Sequence, residues 1–148
     1  MLNSILIAED DADDRFLMQT ALDESKSEDK IKFVENGIEL LNYLNGLKAS
    51  NGDLPYPDFI LLDLNMPKMD GREALKTLKS NAEFKKIPVI IFSTTKNELE
   101  VKRCYELGAN TYVVKPVSFD SLVDTMQHIR NYWFKTATLP LRANASKF

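Results

Sequence analysis

Acidic, hydroxyl and lysine side chains follow four short apolar runs of this sequence, each at the point where the run ends. Glu9 and Asp10 follow residues 5–8, Asp63 follows residues 59–62, Ser93 and Thr94 follow residues 89–92, and Lys115 follows residues 112–114. The set combines carboxylates, hydroxyls and one ammonium group. If the four runs are strands of one parallel sheet, their carboxyl ends meet at one edge and these side chains form a single polar site.

Carboxylates that crowd together repel one another, and a divalent cation relieves that repulsion. Mg²⁺ prefers hard oxygen ligands, retains several waters and combines one or two carboxylates with phosphate oxygens. Glu9, Asp10 and Asp63 are therefore candidate Mg²⁺ ligands, either directly or through water. A carboxylate can also attack phosphorus to give an aspartyl phosphate. Asp63 is the candidate nucleophile, with the Lys115 ammonium neutralising phosphoryl oxygens and the Ser93 hydroxyl donating a hydrogen bond to one of them.

The elements that must position these residues alternate between short strands and longer helices. Five apolar runs, at residues 5–8, 31–34, 59–62, 89–92 and 112–114, are separated by amphipathic stretches. Three of the runs lack the alternation of half-buried strands, which is typical of strands covered on both faces. Parallel neighbours need a crossover connection, usually a helix. The pattern therefore predicts an α/β fold: a doubly wound, five-stranded parallel sheet with five helices.

Glycines and capping residues indicate where several helices begin or end. The second helix should run from about Gly37 to Leu47, the third should start after Gly71, the fourth should stop at Gly108, and the fifth should have Ser118 as its N-cap. Residues 48–57 contain one glycine and two prolines, so they are interpreted as a long loop before the third strand.

These motifs together resemble the residue set of the response-regulator receiver family, in the same order and spacing from about residue 4 to residue 132. The match consists of Glu9-Asp10, Asp63 within LLDLNMPKMDG, Ser93-Thr94 and Lys115-Pro116. The resemblance implies a flavodoxin-like receiver fold in which Asp63 accepts a phosphoryl group from a histidine kinase. It implies that Asp10 and Asp63 bind Mg²⁺, with Glu9 acting through water and the Asn65 carbonyl as a further ligand. Such a domain signals and is not an enzyme with an external substrate.

The resemblance also implies a conformational switch. The family couples a hydroxyl after the fourth strand to an aromatic residue in the fifth, and Ser93, Thr94 and Tyr112 occupy those places. When Ser93 bonds a phosphoryl oxygen, space opens behind it and the Tyr112 ring can turn inward. A cis Lys115–Pro116 bond is a further expectation from the family. One mild departure is Glu9, where Asp is frequent.

A closer resemblance is to the small regulators partnered with bacterial phytochromes, through the long loop and the ending NYWFKTATLP. It implies a phytochrome-like sensor histidine kinase as partner. Residues 1–134 should form the receiver domain, and residues 135–148 a C-terminal extension that is either a dimerisation arm or a disordered tail. Tyr132, Trp133 and Phe134 extend an apolar run beyond the fifth helix, so we expect a homodimer interface there. The alternative is a tail that folds back on its own domain.

The composition excludes several classes of protein. The chain has 148 residues, a net charge of −3 and a pI near 5.2, whereas nucleic-acid binding usually needs a basic stripe. No apolar run approaches the ~18–20 residues that cross a bilayer, and the start does not resemble a signal peptide. The single cysteine, Cys104, allows no internal disulfide, and together these features favour a cytoplasmic protein. Too few residues follow the fifth helix for a DNA-binding module, so output should go through protein contacts.

Other uses of the same residue types were weighed against this interpretation. A phosphatase of the haloacid-dehalogenase type also uses an Asp nucleophile, but it needs a second Asp two residues later, where this chain has Asn65. A flavodoxin needs a phosphate-binding loop after the first strand, where Glu9 and Asp10 would repel phosphate. A shuttle that passes the phosphoryl group along a phosphorelay stays open.

Overall fold

A computed structural model describes residues 2–26 and 28–140. The strands are β1 (Ser4–Ala8), β2 (Lys30–Val34), β3 (Phe59–Leu62), β4 (Val89–Ser93) and β5 (Thr111–Val114); the helices are α1 (Ala12–Asp23), α2 (Gly37–Ala49), α3 (Gly71–Ser80), α4 (Glu98–Glu106) and α5 (Phe119–Asn131). A 3-10 turn (Phe84–Lys86) precedes β4, and a π-helical turn (Tyr132–Thr136) continues α5. The predicted α/β fold with five strands and five helices is confirmed. No helix within these described ranges is long and apolar enough to span a membrane.

The strand order brings the polar chain segments together. All five strands are parallel, in the order β2-β1-β3-β4-β5. The direction of winding reverses at β1, which has β2 on one side and β3 on the other. In such sheets a crevice opens beyond the carboxyl ends of the strands at that switch point. Glu9 follows β1 and Asp63 follows β3, so the topology by itself places these two acids side by side.

Both faces of the sheet are covered, which explains why the central strands are apolar throughout. Successive residues of a strand point to opposite faces. In β1, Leu6 belongs to the core beneath α2 and α3, whereas its neighbour Ile5 belongs to the core beneath α1 and α5. The edge strand β2 differs, because it exposes Lys30 and Lys32 to solvent.

The predicted helix ends are mostly where the structure has them. The Ser118 side chain caps α5 by accepting the Ser121 N–H at 3.1 Å, and Gly108 has a φ of +108° just after α4. The second helix is longer than predicted, since it continues to Ala49 before the backbone turns at Asn51 with a φ of +53°. Leu47, the predicted end, is the last buried residue of the helix, and Lys48 and Ala49 extend it by two exposed residues.

The residues after α5 pack onto the domain itself. Trp133 and Phe134 are partly buried, with ring centroids 6.3 and 5.1 Å from that of Phe59 at the start of β3. Leu139 is 4% exposed, whereas Tyr132 is 52% exposed. The rings of Trp133 and Phe134 therefore fill space beside Phe59 within one chain, whereas the expected homodimer interface stays a prediction. Residues 141–148 of the predicted extension lie outside the described residues.

Candidate functional site

Asp63 lies directly after β3, at the switch-point crevice, and its position is fixed by backbone and side-chain contacts. Its N–H donates to the Ala8 carbonyl at 3.1 Å. Its Oδ1 accepts the Leu64 N–H at 2.8 Å, and its Oδ2 lies 3.3 Å from Lys115 Nζ. The residue is 8% exposed. A carboxylate held rigidly beside an ammonium group is suited to nucleophilic attack on an anionic phosphoryl group, since the cation offsets the repulsion between them.

Lys115 follows β5, and its ammonium group lies among three carboxylates of the site. Its Nζ is hydrogen-bonded to a Glu9 carboxylate oxygen, and it lies 3.3 Å from Asp63 and 3.4 Å from Asp14. The Lys115 N–H donates to the Ser93 carbonyl at 2.8 Å, which fixes its backbone against the end of β4. Burial alone would lower the pKa of the Lys115 ammonium, but the hydrogen bond that it donates to Glu9 and the charges of Asp63, Glu9 and Asp14 raise it. The side chain therefore stays cationic.

Glu9, Asp10 and Asp63 form a cluster that could bind a metal ion. Each residue offers one carboxylate oxygen, and these oxygens lie within 4.8 Å of one another. Glu9 is buried while Asp10 is exposed. Burial, opposed by the Lys115 hydrogen bond and reinforced by the charge of Asp63, raises the pKa of Glu9 to about 7. Three hard oxygen donors with one side open to solvent fit a cation such as Mg²⁺, which keeps some of its waters.

Arg15 holds the β1–α1 connection in place, a role that the motifs in the sequence do not reveal. Its Nη1 donates to the carbonyls of Glu9 and Asp10, at 2.9 Å in both cases. It also lies 3.6 Å from a carboxylate oxygen of Glu35. The contact goes to backbone atoms, so no residue pattern reveals it. Arg15 fixes the backbone from which two of the clustered acids project.

Two glycines allow the loop after Asp63 to pack closely. The Gly71 N–H donates to the Leu64 carbonyl at 2.9 Å, and a Cβ at Gly71 would lie 2.1 Å from the Asp63 carbonyl oxygen. A Cβ at Gly37 would lie 2.7 Å from the side chain and 2.8 Å from the carbonyl oxygen of Met69. Any larger side chain would displace this loop. The sequence predicted that the third helix starts after Gly71, but the role of Gly71 in this packing depends on a tertiary contact with the Asp63 backbone.

The Ser93 hydroxyl lies at the end of β4, next to the Lys115 backbone. Ser93 is fully buried, and its Oγ accepts the Thr95 N–H at 3.3 Å. Thr94 is exposed. The Tyr112 hydroxyl donates to the Thr95 carbonyl at 2.8 Å, and the ring packs against the core beneath α2 and α3. Ser93 and Tyr112 therefore bind the two sides of the same peptide segment.

The remaining predicted residues are not among the three clustered acids. Asn65 is exposed in the loop that follows Asp63. Tyr132, Trp133 and Phe134 lie at the opposite end of the sheet, beside the start of β3. The expected cis Lys115–Pro116 bond is wrong for this structure, because every peptide bond in the described ranges is trans. Lys115 reaches Glu9 and Asp63 with a trans bond.

Comparison with known proteins identifies the family of this chain. The family model of the response regulator receiver domain matches residues 5–127 of the sequence. The chain therefore belongs to the response regulator receiver domain family, as its motifs predicted.

Similar proteins and solved structures show which members of this family the chain resembles. Response regulator Rcp1 from Synechocystis sp. (strain ATCC 27184 / PCC 6803 / Kazusa) is 37% identical over 136 residues, which are 92% of this chain and 92% of the relative. The structure of the phosphorylated cyanobacterial phytochrome response regulator RcpA aligns with a TM-score of 0.85 and 37% identity, over 95% of this chain and 99% of the other. The Mn²⁺-bound form of Rcp1 aligns with a TM-score of 0.81 and 36% identity, over 93% of this chain and 99% of that one. Among its relatives are thus small response regulators of phytochromes that match it over almost its whole length.

Proposed function

We propose that this protein is a stand-alone response regulator that accepts a phosphoryl group on Asp63 from a histidine kinase, with Mg²⁺ bound beside it. The observation that carries the proposal is the position of Asp63, whose Oδ2 lies 3.3 Å from Lys115 Nζ and whose carboxylate clusters with Glu9 and Asp10. Membership of the receiver family supports it, as does the phosphorylated state of the similar protein RcpA.

The chemistry needs little from the protein beyond position and charge. A carboxylate oxygen of Asp63 attacks the phosphorus of the donor phosphohistidine; the new P–O bond forms as the P–N bond breaks, and the electron pair of that bond stays with the imidazole nitrogen. Lys115 neutralises the transferred oxygens, and the Ser93 hydroxyl donates a hydrogen bond to one of them. A bound Mg²⁺ supplies further charge neutralisation at the phosphoryl oxygens.

The Mg²⁺ site would consist of Asp10 and Asp63, with Glu9 acting through water and the Asn65 carbonyl as a further ligand. The clustered carboxylate oxygens support this assignment, and the similar protein Rcp1 has a Mn²⁺-bound form. Asn65 also separates this proposal from a phosphatase, because an amide cannot serve as the general acid that turnover requires. We therefore assign no external substrate to the chain.

The output of phosphorylation would be a changed protein-interaction surface. We propose that Ser93, Thr94 and Tyr112 form the switch, since Ser93 binds the N–H and Tyr112 binds the carbonyl of the same residue, Thr95. A phosphoryl group would accept the Ser93 O–H and so draw the Ser93 side chain, whose oxygen accepts the Thr95 N–H, toward Asp63. The population of conformers then shifts by the difference in contacts between the two states.

The partners would be a phytochrome-like sensor histidine kinase and a second copy of this chain. A homodimer through α4, α5 and the aromatic run is supported by the exposure of Leu99, Tyr105 and Tyr132. Trp133 and Phe134 would support that surface from beneath rather than form its outer contacts. The acidic composition and the single cysteine suggest a cytoplasmic protein without a nucleic-acid or membrane partner.

Acetyl phosphate with Mg²⁺ tests the phosphoacceptor directly. We expect wild type to gain one phosphoryl group, measured by intact mass, and Asp63→Asn to gain none. Asp13→Asn is the matched control, because Asp13 is an exposed acid of α1 that is absent from the metal-binding cluster. Labelling of Asp63→Asn at the wild-type rate would disprove the assignment. Phosphotransfer from a panel of phytochrome-type and unrelated histidine kinases then tests the partner.

A further inference from the structure

Few side chains fasten α4 to the rest of the domain. Cys104 is the one residue of α4 that is buried, and Leu99 is 78% exposed. A helix with so little buried apolar surface can be displaced at a small cost in free energy. Its polar contacts therefore have an unusually large influence on where it lies.

The strongest of these polar contacts joins α4 to the start of α3. Arg72 Nε donates to both carboxylate oxygens of Glu100, at 3.1 and 2.8 Å. The two side chains are 25% and 30% exposed, so solvent and salt screen the pair less than a fully exposed one. Hydrogen bonds between charged groups are also stronger than neutral ones.

Arg72 is in turn fixed relative to the phosphoacceptor. It follows Gly71, whose backbone packs against the Asp63 carbonyl so closely that a Cβ would lie 2.1 Å from that oxygen. The Arg72 N–H donates to Asp70 Oδ1 at 2.9 Å, and its guanidinium lies 3.8 Å from Asp70 Oδ2. The chain from Asp63 to Glu100 therefore passes only through closely packed or hydrogen-bonded groups.

A second connection reaches the same end of α4. The Ser93 hydroxyl binds the Thr95 N–H, the Thr95 carbonyl binds Tyr112, and Asn97 caps α4 by accepting the Leu99 and Glu100 N–H groups. The first turn of α4 thus receives one connection through β4 and another through α3.

We propose that the Arg72–Glu100 ion pair is a latch that couples the phosphorylation state of Asp63 to the position of α4. Arg72 and Glu100 are positioning residues, since neither contacts Asp63. The latch holds the first turn of α4 against α3, so that movement of the segment from Ser93 to Asn97 displaces the helix in one defined way. Without the latch, α4 samples several positions whether or not Asp63 is phosphorylated. This inference rests on the proposed function of Asp63.

Hydrogen exchange of the α4 amides tests the latch, measured with and without beryllofluoride and Mg²⁺ as a phosphoryl mimic. In wild type the mimic should change exchange in residues 101–106 by about fivefold or more, the lower end of ordinary coupling between sites. In Glu100→Gln these amides should exchange faster than in wild type, and the mimic should change them less than twofold. Arg72→Glu/Glu100→Arg, which reverses the pair, should restore the wild-type response.

Glu98→Gln is the matched control, because it removes an acid from the same first turn of α4 and should behave as wild type. Glu100→Gln should still accept a phosphoryl group on Asp63. Wild-type exchange and response in Glu100→Gln would overturn the latch, and so would an equal loss of response in Glu98→Gln. Failure of wild type to be labelled by acetyl phosphate would instead overturn the proposed function, while the exchange rates without the mimic would still report on the latch.

Discussion

The two ends of the parallel sheet differ in the side chains that gather there. At the carboxyl end, the carboxylates of Glu9, Asp14 and Asp63 all face the single ammonium group of Lys115. At the amino end, the rings of Trp133 and Phe134 lie on Phe59. The amino end has charged groups too: Arg130 pairs with Asp29 through two nitrogens, and the Asp58 carboxylate accepts the Ser4 N–H at 2.8 Å.

This difference indicates that the carboxyl end of the sheet serves the chemistry of the site, whereas the amino end serves the stability of the fold. Every buried side-chain nitrogen or oxygen in the described part of the chain has a hydrogen-bond partner, so the carboxyl end is satisfied in hydrogen bonding yet unbalanced in charge. An excess of negative charge favours the binding of a cation. At the amino end, the apolar contacts of Trp133 and Phe134 with Phe59 contribute to stability. Substitutions at the amino end should therefore reduce stability and leave phosphorylation intact, and substitutions at the carboxyl end should do the reverse.

The largest effect on stability is expected from Trp133→Ala/Phe134→Ala. Removal of both rings exposes Phe59 and leaves a cavity, at a cost of roughly 4 kcal/mol in the free energy of unfolding for two partly buried aromatic residues. Urea unfolding measures this cost. Acetyl phosphate should still label the folded variant on Asp63, because both rings lie at the far end of the sheet.

The same variant separates the intramolecular from the intermolecular role of the rings. Light scattering at micromolar concentration, with beryllofluoride and Mg²⁺ present, should show a dimer for wild type and a shift toward monomer for the variant. Tyr132→Ala, which changes an exposed ring, should weaken the dimer with a much smaller loss of stability. A wild type that stays monomeric at high concentration would contradict the dimer, but not the packing on Phe59.

Gly71→Ala should be an exception among substitutions at the carboxyl end, because it should also lower the free energy of unfolding. Its Cβ would lie 2.1 Å from the Asp63 carbonyl oxygen, so either α3 or the Asp63 backbone must move. Overpacking of this kind costs about 3 kcal/mol. We expect both a lower unfolding free energy and slower labelling of Asp63. Gly46→Ala is the control, since nothing lies within 4 Å of a Cβ there and alanine favours the helix.

Much of the fold and part of the site could be predicted from the sequence alone. The order of apolar runs predicted the sheet, because strands buried on both faces must be apolar throughout. The positions of Glu9, Asp63 and Lys115 at strand ends predicted their meeting, since parallel strands share one carboxyl edge. The contacts of Arg15 and Arg72 could not be predicted, as one goes to backbone carbonyls and the other to an acid 28 residues away. The packing of Trp133 and Phe134 on Phe59 could not be predicted either, because nothing local in the sequence shows how much room remains beside Phe59.

Asp10→Asn should alter the charge excess with little effect on the fold. Asp10 is exposed, and it contributes one of the three clustered carboxylate oxygens. Loss of that charge should weaken Mg²⁺ binding roughly tenfold, equivalent to about 1.4 kcal/mol. Titration calorimetry with MgCl₂ measures the change. Asp11→Asn is the neighbouring control, because the Asp11 side chain caps α1 by accepting the Asp13 N–H and is absent from the cluster. Equal Mg²⁺ affinities for both variants would argue against the assignment of Asp10.

The smallest effect is expected from Ser93→Ala, and it concerns coupling rather than stability or labelling. Ser93 is fully buried, and its hydroxyl accepts the Thr95 N–H. Replacement by alanine removes one neutral hydrogen bond, worth about 1 kcal/mol, and leaves Asp63 and Lys115 in place. Acetyl phosphate should therefore still label the variant, at a rate reduced about fivefold, since the phosphoryl group loses one donor.

What should disappear in Ser93→Ala is the link from the phosphoryl group to the surface. Without the hydroxyl, nothing at this position draws Thr95 away from its contact with Tyr112, whose hydroxyl binds the Thr95 carbonyl at 2.8 Å. Phosphorylated Ser93→Ala should therefore bind its kinase or its second copy as the unphosphorylated wild type does. Ser93→Thr keeps the hydroxyl and should keep the response. If phosphorylated Ser93→Ala bound its partner as tightly as phosphorylated wild type, the signal would have to leave the site by another route. The contact of Asp63 with Gly71, and through it Arg72 and Glu100, would then carry the whole response.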